Sequence, residues 1–194
     1  MLGLLCDTDP SWVEAAQADL DALLSDHAHC EVKAAHTALS LVAKFAGEQP
    51  SLAAPLSALA QEEAEHFGLV HERLASRGST LGPPSKDPYV NALLLASKEL
   101  DPGTPLLLDK LLISALVEAR SCERFRLLSE KLNDASLRSF YRELMASEAR
   151  HYRLFRELSE QCFGLLASKR RFEHLAEYES KVASQLPLGP TVHG

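Results

Sequence analysis

The feature that most constrains this chain is a Glu-x-x-His pair inside an otherwise apolar helical pattern. Residues on this pattern recur at alternating spacings of four and three, which is the period of the buried face of a helix: Leu52, Leu56, Leu59, Glu63, His66 and Val70. Glu63 and His66 are therefore predicted to face the core. A buried carboxylate is costly unless it is paired, protonated or bound to a metal ion, so the pair indicates half of a metal site.

The same motif occurs a second time, at Glu148 and His151, again on an apolar helical pattern. In each case the preceding helix carries a further inward-facing carboxylate, Glu31 before the first motif and Glu118 before the second. Four carboxylates and two imidazoles form an oxygen-rich ligand set that suits two iron or manganese ions, and we predict two irons. The alternative is a set of buried ion pairs with Lys33, Arg120 or Arg150.

Length and composition indicate the fold class. A chain of 194 residues with 46% hydrophobic residues, few aromatics and many Ala and Leu favours one all-α domain, covering residues 1–194. The proline-rich stretch 82–88 cannot form a regular helix, and it separates the two helix pairs that carry the candidate ligands. Such a long crossover predicts a ferritin-like four-helix bundle with additional helices.

Breaking and capping residues predict where individual helices begin and end. We expect a first helix over 12–24, a break at Ser25-Asp26, and a second helix that ends near Phe45. Further helices are expected over 51–76, 89–99, 106–132, 134–164 and 168–185. Off the apolar patterns, Glu62, Glu65 and Glu123 are expected to be surface charges. His27 lies one turn before Glu31 and is expected to be a hydrogen-bonded core histidine or a residue that supports the site.

Charge and cysteine content restrict the partners and the compartment. The formal net charge of −7 argues against a broad basic surface for nucleic acid, although a local basic patch is compatible with it. The four cysteines form no closely spaced pair, which is typical of a reducing compartment. The short N-terminal apolar run is not a signal sequence, and no stretch is long enough to span a bilayer. A cytoplasmic protein without a membrane partner is expected.

Several short segments resemble one known family, the tRNA 2-methylthio-isopentenyl-adenosine hydroxylases, or MiaE family. The segments are 27–31 (HAHCE), 62–67 (EEAEHF), 118–125 (EARSCERF), 147–152 (SEARHY) and 190–194 (PTVHG). The resemblance implies an O2-dependent, non-haem di-iron monooxygenase that hydroxylates the isopentenyl group of 2-methylthio-N6-isopentenyladenosine in tRNA. It also implies that the six ligand positions are the catalytic metal centre: Glu31, Glu63, His66, Glu118, Glu148 and His151. An external reductase is implied as well, because the sequence has no flavin or nicotinamide motif.

Basic residues near the ligand-bearing helices are candidate contacts for anticodon-loop phosphates. They are Arg120, Arg124, Arg150, Lys169, Arg170 and Arg171. The alternative is that these side chains are solvated or balance the carboxylates. Two other functions share the Glu-x-x-His pattern, a ferritin-like iron-handling protein (ferroxidase or storage) and a rubrerythrin-like peroxidase, although the chain lacks the Cys-rich iron domain usual in the latter.

Overall fold

The computed structural model describes residues 2–193, so Met1 and Gly194, the ends of the predicted domain and of the 190–194 motif, lie outside the described residues. Within this range the chain forms seven α-helices and a 3-10 turn at Pro50–Leu52, and no strand. The helices are α1 (Trp12–Ala18), α2 (Leu20–Phe45), α3 (Ala53–Ser76), α4 (Pro88–Leu100), α5 (Leu106–Lys131), α6 (Ala135–Phe163) and α7 (Leu165–Ala183). No helix in the described range is both long enough and apolar enough to cross a membrane.

The first helix break lies earlier than predicted. Asp19 caps α2 by accepting a hydrogen bond from the Ala22 backbone N–H at 2.9 Å, so the chain breaks there and the prediction of a break at Ser25-Asp26 is wrong. Ser25 and Asp26 lie inside α2, and their side chains are used in tertiary contacts. Ser25 Oγ accepts from the Gly82 N–H, and Asp26 Oδ2 accepts from the Val192 N–H. Residue types that favour caps therefore do not by themselves place a helix end.

Other helix ends follow from local chemistry as predicted. Asp87 caps α4 through the Val90 N–H, and Pro88 occupies the first turn, where its missing N–H costs nothing. Asp134 accepts from two backbone N–H groups at the start of α6. Gly164 ends α6 with φ of +84°, a conformation that residues with a Cβ rarely adopt. Between Ser76 and Pro88 there is no helix, in agreement with the predicted proline-rich loop.

The chain divides into two compact units, which are described separately. The α2–α3 unit comprises residues 15–86 together with 189–192. The α4–α7 unit comprises residues 87–188, the N-terminal residues up to Glu14, and His193. The single-domain organisation stays a prediction.

In the α2–α3 unit, the two long helices pack against each other along an apolar seam. Its fully buried residues include Leu24, Leu41, Leu56 and Val70, which recur at helical spacing on the two helices. Glu31, Glu63 and His66 interrupt this seam. The predicted inward orientation of these three residues is therefore observed.

In the α4–α7 unit, α5 packs mainly against α6, and α7 contacts α4, α5 and α6. Apolar residues such as Leu111, Leu116 and Phe125 are buried on different sides of α5, which is typical of a helix enclosed by its surroundings. Charged residues on such a helix are buried with the rest, and they require partners. Glu118, Arg120, Glu123 and Arg124 are in this position.

Candidate metal centre

The first ligand set consists of Glu31 from α2 with Glu63 and His66 from α3. The three residues are nearly inaccessible, with 4%, 1% and 6% of their surface exposed. Each offers one ligand atom, and these atoms lie within 4.8 Å of one another. His66 Nδ1 is 3.2 Å from Glu63 Oε2, as expected for residues three positions apart on one helix face.

A fourth residue, His27, supports this set. It is fully buried one turn before Glu31 on α2, and its Nε2–H donates to Glu31 Oε1 at 2.7 Å. The hydrogen bond fixes the orientation of the Glu31 carboxylate. His27 is thus a hydrogen-bonded core histidine, and its partner is a candidate ligand.

The second ligand set lies in the α4–α7 unit. It consists of Glu118 from α5 with Glu148 and His151 from α6, which are 6%, 4% and 3% exposed. Glu118 Oε2 is 3.8 Å from His151 Nδ1. Glu148 and His151 are three positions apart, so they occupy the same face of α6. The second set therefore repeats the composition of the first, two carboxylates and one imidazole.

The donor chemistry of each set fits a divalent metal ion. In the first set two carboxylates, Glu31 and Glu63, converge within 4.8 Å in a buried environment, where like charges repel strongly unless a cation neutralises them. Carboxylate oxygen with imidazole nitrogen is the donor combination of iron and manganese sites, whereas closed structural zinc sites are built mainly from thiolates and imidazoles. The first set is thus compatible with binding a metal ion, and the second set offers the same donor types.

All three cations named in the ion-pair alternative have other partners. Arg120 contacts Glu123 and Glu179, and Lys33 Nζ donates to the Ser85 carbonyl at 3.2 Å. Arg150 Nη2 donates to Ser147 Oγ at 2.9 Å and is itself exposed. These contacts favour the metal interpretation of the two sets.

Three of the six predicted tRNA contacts are buried in the α4–α7 unit. Arg120, 1% exposed, donates to Glu179 Oε1 at 2.7 Å and to Glu123 Oε2 at 2.9 Å. Desolvation lowers the pKa of Arg120, but the charge and hydrogen bond of Glu179, together with the effects of Tyr89 and Glu123, outweigh it, and the pKa lies above its ordinary value. Arg124 stacks over the Trp12 ring at 4.8 Å, and burial, together with the charge of Arg120, lowers its pKa to about 10. Both arginines therefore make stabilising contacts inside this unit.

Arg171 is buried in the same way. Its Nε donates to Asp109 Oδ1 at 2.7 Å, and Nη2 donates to the Ser97 carbonyl at 2.8 Å. The remaining three candidates, Arg150, Lys169 and Arg170, are exposed. The structure therefore separates the six candidates into three that hold the α4–α7 unit together and three that face solvent.

Sequence reasoning missed the acidic partners of these arginines. Glu123 was expected on the surface, but that expectation is wrong: it is 1% exposed and accepts from Arg120 and from the Thr8 N–H and hydroxyl. Glu179 and Asp109 were not singled out at all. Glu179 follows Leu175 by four residues on α7, so it lies on the same helix face as an apolar residue. That spacing was the sequence signal that Glu179 is buried.

Cys122, one turn after Glu118, packs as a small apolar side chain. It is 3% exposed, and its Sγ lies 3.4 Å from the Met145 carbonyl. Burial, followed by the charge of Glu118, raises the pKa of the Cys122 thiol to about 11. The thiol therefore stays protonated at neutral pH.

Comparison with known proteins identifies the family. The family model described as tRNA-(MS[2]IO[6]A)-hydroxylase (MiaE) matches residues 2–194. A Pseudomonas putida protein named tRNA 2-(methylsulfanyl)-N(6)-isopentenyladenosine(37) hydroxylase is 43% identical over 79% of this chain and 73% of its own length. A Salmonella typhimurium protein of the same name is 31% identical over 96% of this chain and 84% of its own length.

A solved structure resembles the whole fold. It is described as protein 43 with aldehyde deformylating oxygenase activity from Synechococcus, and it is 39% identical with a TM-score of 0.90 over 98% of this chain and 95% of its own. This likeness confirms the predicted all-α, ferritin-like fold class. The family match over nearly the full length leads to one conclusion: the chain belongs to the MiaE family of tRNA hydroxylases.

Proposed function

We propose that this protein is an O2-dependent di-iron monooxygenase that hydroxylates the isopentenyl group of 2-methylthio-N6-isopentenyladenosine in tRNA. The observation that carries the proposal is the match of residues 2–194 to the hydroxylase family, in a chain that buries two identical sets of carboxylate and imidazole ligands. The match supports the substrate, and the ligand sets support the type of chemistry.

We assign both ligand sets to one di-iron centre. A Glu from each of two helices and a Glu-x-x-His from each of two others is the pattern of ferritin-like di-iron carboxylate proteins. The proposed ligands are Glu31, Glu63, His66, Glu118, Glu148 and His151. When bound, two ferrous ions supply the reduction of O2 that is needed to oxidise an unactivated C–H bond.

The protein side chains contribute positioning and exclusion of water. His27 holds Glu31 Oε1, so the carboxylate presents a fixed oxygen to the metal instead of rotating. The low exposure of all six ligands keeps bulk water from the centre. The buried pair of Arg120 with Glu179 joins α5 to α7 and thereby holds the helix that carries Glu118.

The proposed partners are tRNA, O2 and an external reductase that delivers two electrons per turnover. For the tRNA contacts we propose Arg150, Lys169 and Arg170, because these three of the six candidates are exposed and can reach phosphate oxygens. We also propose the cytoplasm as the location, since tRNA is modified there.

A second candidate function follows from the solved relative. The similarity to the Synechococcus protein, 39% identity over 98% of this chain, supports O2-dependent deformylation of an aldehyde as the alternative. The same metal ligands would serve both reactions, so the substrate pocket and not the metal centre decides between them.

The test uses the purified protein, loaded with ferrous iron, reduced and supplied with O2. One reaction contains tRNA bearing the prenylated, methylthiolated adenosine, and a parallel reaction contains an aldehyde. We expect digestion of the tRNA to yield that nucleoside heavier by one oxygen atom, and no loss of a carbon from the aldehyde. Iron binding and O2 consumption without a heavier nucleoside would overturn the proposed substrate, and aldehyde shortening would favour the alternative.

A further inference from the structure

The outer surface of α6 carries a row of arginines that the proposed metal centre does not use. We call it the α6 arginine face, and it comprises Arg138, Arg142, Arg150, Arg153 and Arg156. Arg142, Arg150 and Arg153 are exposed, and the other two are half-buried. Within residues 135–156, all of which the structure describes, Glu143 is the one acidic side chain outside the core.

The two half-buried arginines have structural partners. Arg138 donates to the Leu132 carbonyl at 2.6 Å and to the Asn133 carbonyl at 3.1 Å, where it satisfies groups at the end of α5. Arg156 lies 4.0 Å from the centre of the Phe172 ring and 3.5 Å from Glu160. These contacts anchor the ends of the face. Between them Arg142, Arg150 and Arg153 are exposed, and Arg150 also donates to Ser147 Oγ on its own helix at 2.9 Å.

The exposed arginines are arranged along the helix axis. Arg142 and Arg153 are eleven residues apart, which is close to three turns, so they lie on the same side of α6 at an axial separation of about 16 Å. Arg150 lies one turn before Arg153. Glu148 and His151 occupy the opposite, buried side of the same helix. The face is therefore separated from the candidate metal centre by the helix itself.

The occupant that fits this face is the sugar–phosphate backbone of RNA. A guanidinium group matches the geometry of a phosphate and binds it through two parallel hydrogen bonds, and all the exposed basic positions of the face are arginine. The chain as a whole carries a charge of −7, so a polyanion such as RNA is attracted only where basic side chains are locally concentrated, as they are on this face. An acidic electron-donor protein is the other polyanionic partner that the test must separate.

We propose that Arg142, Arg150 and Arg153 bind RNA phosphates and orient tRNA on the outer face of α6. Arg150 is one of the six residues already considered, and Arg153 is likewise predicted from the sequence as a basic residue near the ligand-bearing helices. Arg142 is added by its exposed position in the structure. The proposal rests on the proposed tRNA substrate. It concerns affinity alone, so its failure can be distinguished from failure of the hydroxylase assignment.

The experiment replaces all three exposed arginines by Gln in the full chain and measures binding of tRNA and of an anticodon stem-loop RNA across a salt series. The matched control replaces Lys44, Arg73 and Lys98 by Gln, which removes the same charge from exposed positions elsewhere. We expect the α6 variant to lose roughly tenfold or more in RNA affinity. The slope of log affinity against log salt should fall by about 2, because each lost phosphate contact removes about 0.7 for single strands. The control should keep the wild-type slope.

Iron content and helical circular dichroism are measured on both variants to show that they are folded. Equal RNA affinity and salt slope for the α6 variant and the control would overturn the proposal. Normal RNA binding with slowed reduction by an acidic electron donor would also overturn it, and would assign the face to that protein. A loss of RNA binding in a protein that proves unable to hydroxylate tRNA would support the face and contradict only the hydroxylase function.

Discussion

The hydrogen bond from His27 to Glu31 predicts that His27 controls metal affinity although it is not a proposed ligand. We consider His27→Phe, which keeps a ring in the buried site and removes the Nε2–H donor. The bond is 2.7 Å long and both residues are buried, so the change leaves a carboxylate oxygen without its donor in a poorly solvated position. Hydrogen bonds to a charged group contribute about 1.5–3 kcal/mol.

That free energy corresponds to a loss of affinity of roughly 10-fold to 150-fold, since a factor of ten is about 1.4 kcal/mol. Measured effects of residues that support metal ligands fall in a similar range, about 10-fold to 100-fold. The assay is an anaerobic titration with ferrous iron against a competing chelator. We expect one of the two ions to bind more weakly and the other to keep its affinity, because the hydrogen bond of His27 is to Glu31 of the first ligand set.

Two further variants test whether the hydrogen bond itself, and not any change on α2, affects metal affinity. His27→Gln keeps an N–H donor four residues before Glu31 and should recover part of the affinity. His36→Ala removes an exposed histidine from the same helix and should leave both binding steps unchanged. Wild-type affinity for both ions in His27→Phe would refute the reasoning that this hydrogen bond holds Glu31 in its binding orientation.

Three other predictions follow from the buried groups. His151→Ala should lose one of two bound irons, measured by metal analysis, while circular dichroism shows that helix content is kept. Arg120→Ala should lower the free energy of unfolding in urea by about 3–5 kcal/mol, because it leaves Glu179 and Glu123 buried without their cation. Cys122 should resist thiol reagents in the native protein at pH 8, and stability should fall from pH 9 to about 11, as the unfolded thiol ionises first and the folded one has a pKa of about 11.

Each of these three predictions has a control and a result that would contradict it. Full iron loading in His151→Ala, with the exposed His174→Ala as the reference, would contradict its assignment as a ligand. Arg126→Ala breaks a more exposed pair with Glu130 on the same helix and should cost less than about 1 kcal/mol, so an equal cost for both arginines would contradict the buried network. Labelling of Cys122 as fast as that of the half-buried Cys6, Cys30 and Cys162 would contradict its burial.

The helices and the inward orientation of the ligands could be predicted because they depend on local periodicity. Glu63 and His66 lie on the apolar pattern of α3, and the same rule placed Glu148 and His151 correctly on α6. A residue on the buried face of a helix is inaccessible whatever it packs against. For that reason the two candidate ligand sets could be predicted before any tertiary contact was known.

The arginines of α5 could not be placed in this way. Arg120 and Arg124 lie off the main apolar pattern of their helix, and a charge at such a position normally faces water. They are buried because α5 is enclosed on several sides and Glu179 from α7 supplies the compensating charge. The partner is 59 residues away in the chain, so only the tertiary structure reveals the pair.

The early end of α1 was missed for a related reason. Asp19, Ser25 and Asp26 are all residues that favour helix caps, and the sequence contains no signal that ranks them. In the structure Asp19 caps the start of α2. The side chains of Ser25 and Asp26 instead accept hydrogen bonds from the backbone N–H groups of Gly82 and Val192. The choice among them depends on loops that arrive from distant parts of the chain.

The proposed hydroxylation of tRNA is tested most directly by following isotopically labelled O2. Iron-loaded, reduced protein is supplied with labelled O2 and tRNA carrying the prenylated, methylthiolated adenosine, and the digested nucleosides are analysed by mass spectrometry. If the protein is the proposed monooxygenase, this nucleoside gains one labelled oxygen atom on its isopentenyl group, and Glu148→Ala abolishes the gain. Product oxygen that comes from water, or an unmodified nucleoside from protein that binds iron and consumes O2, would contradict the proposal.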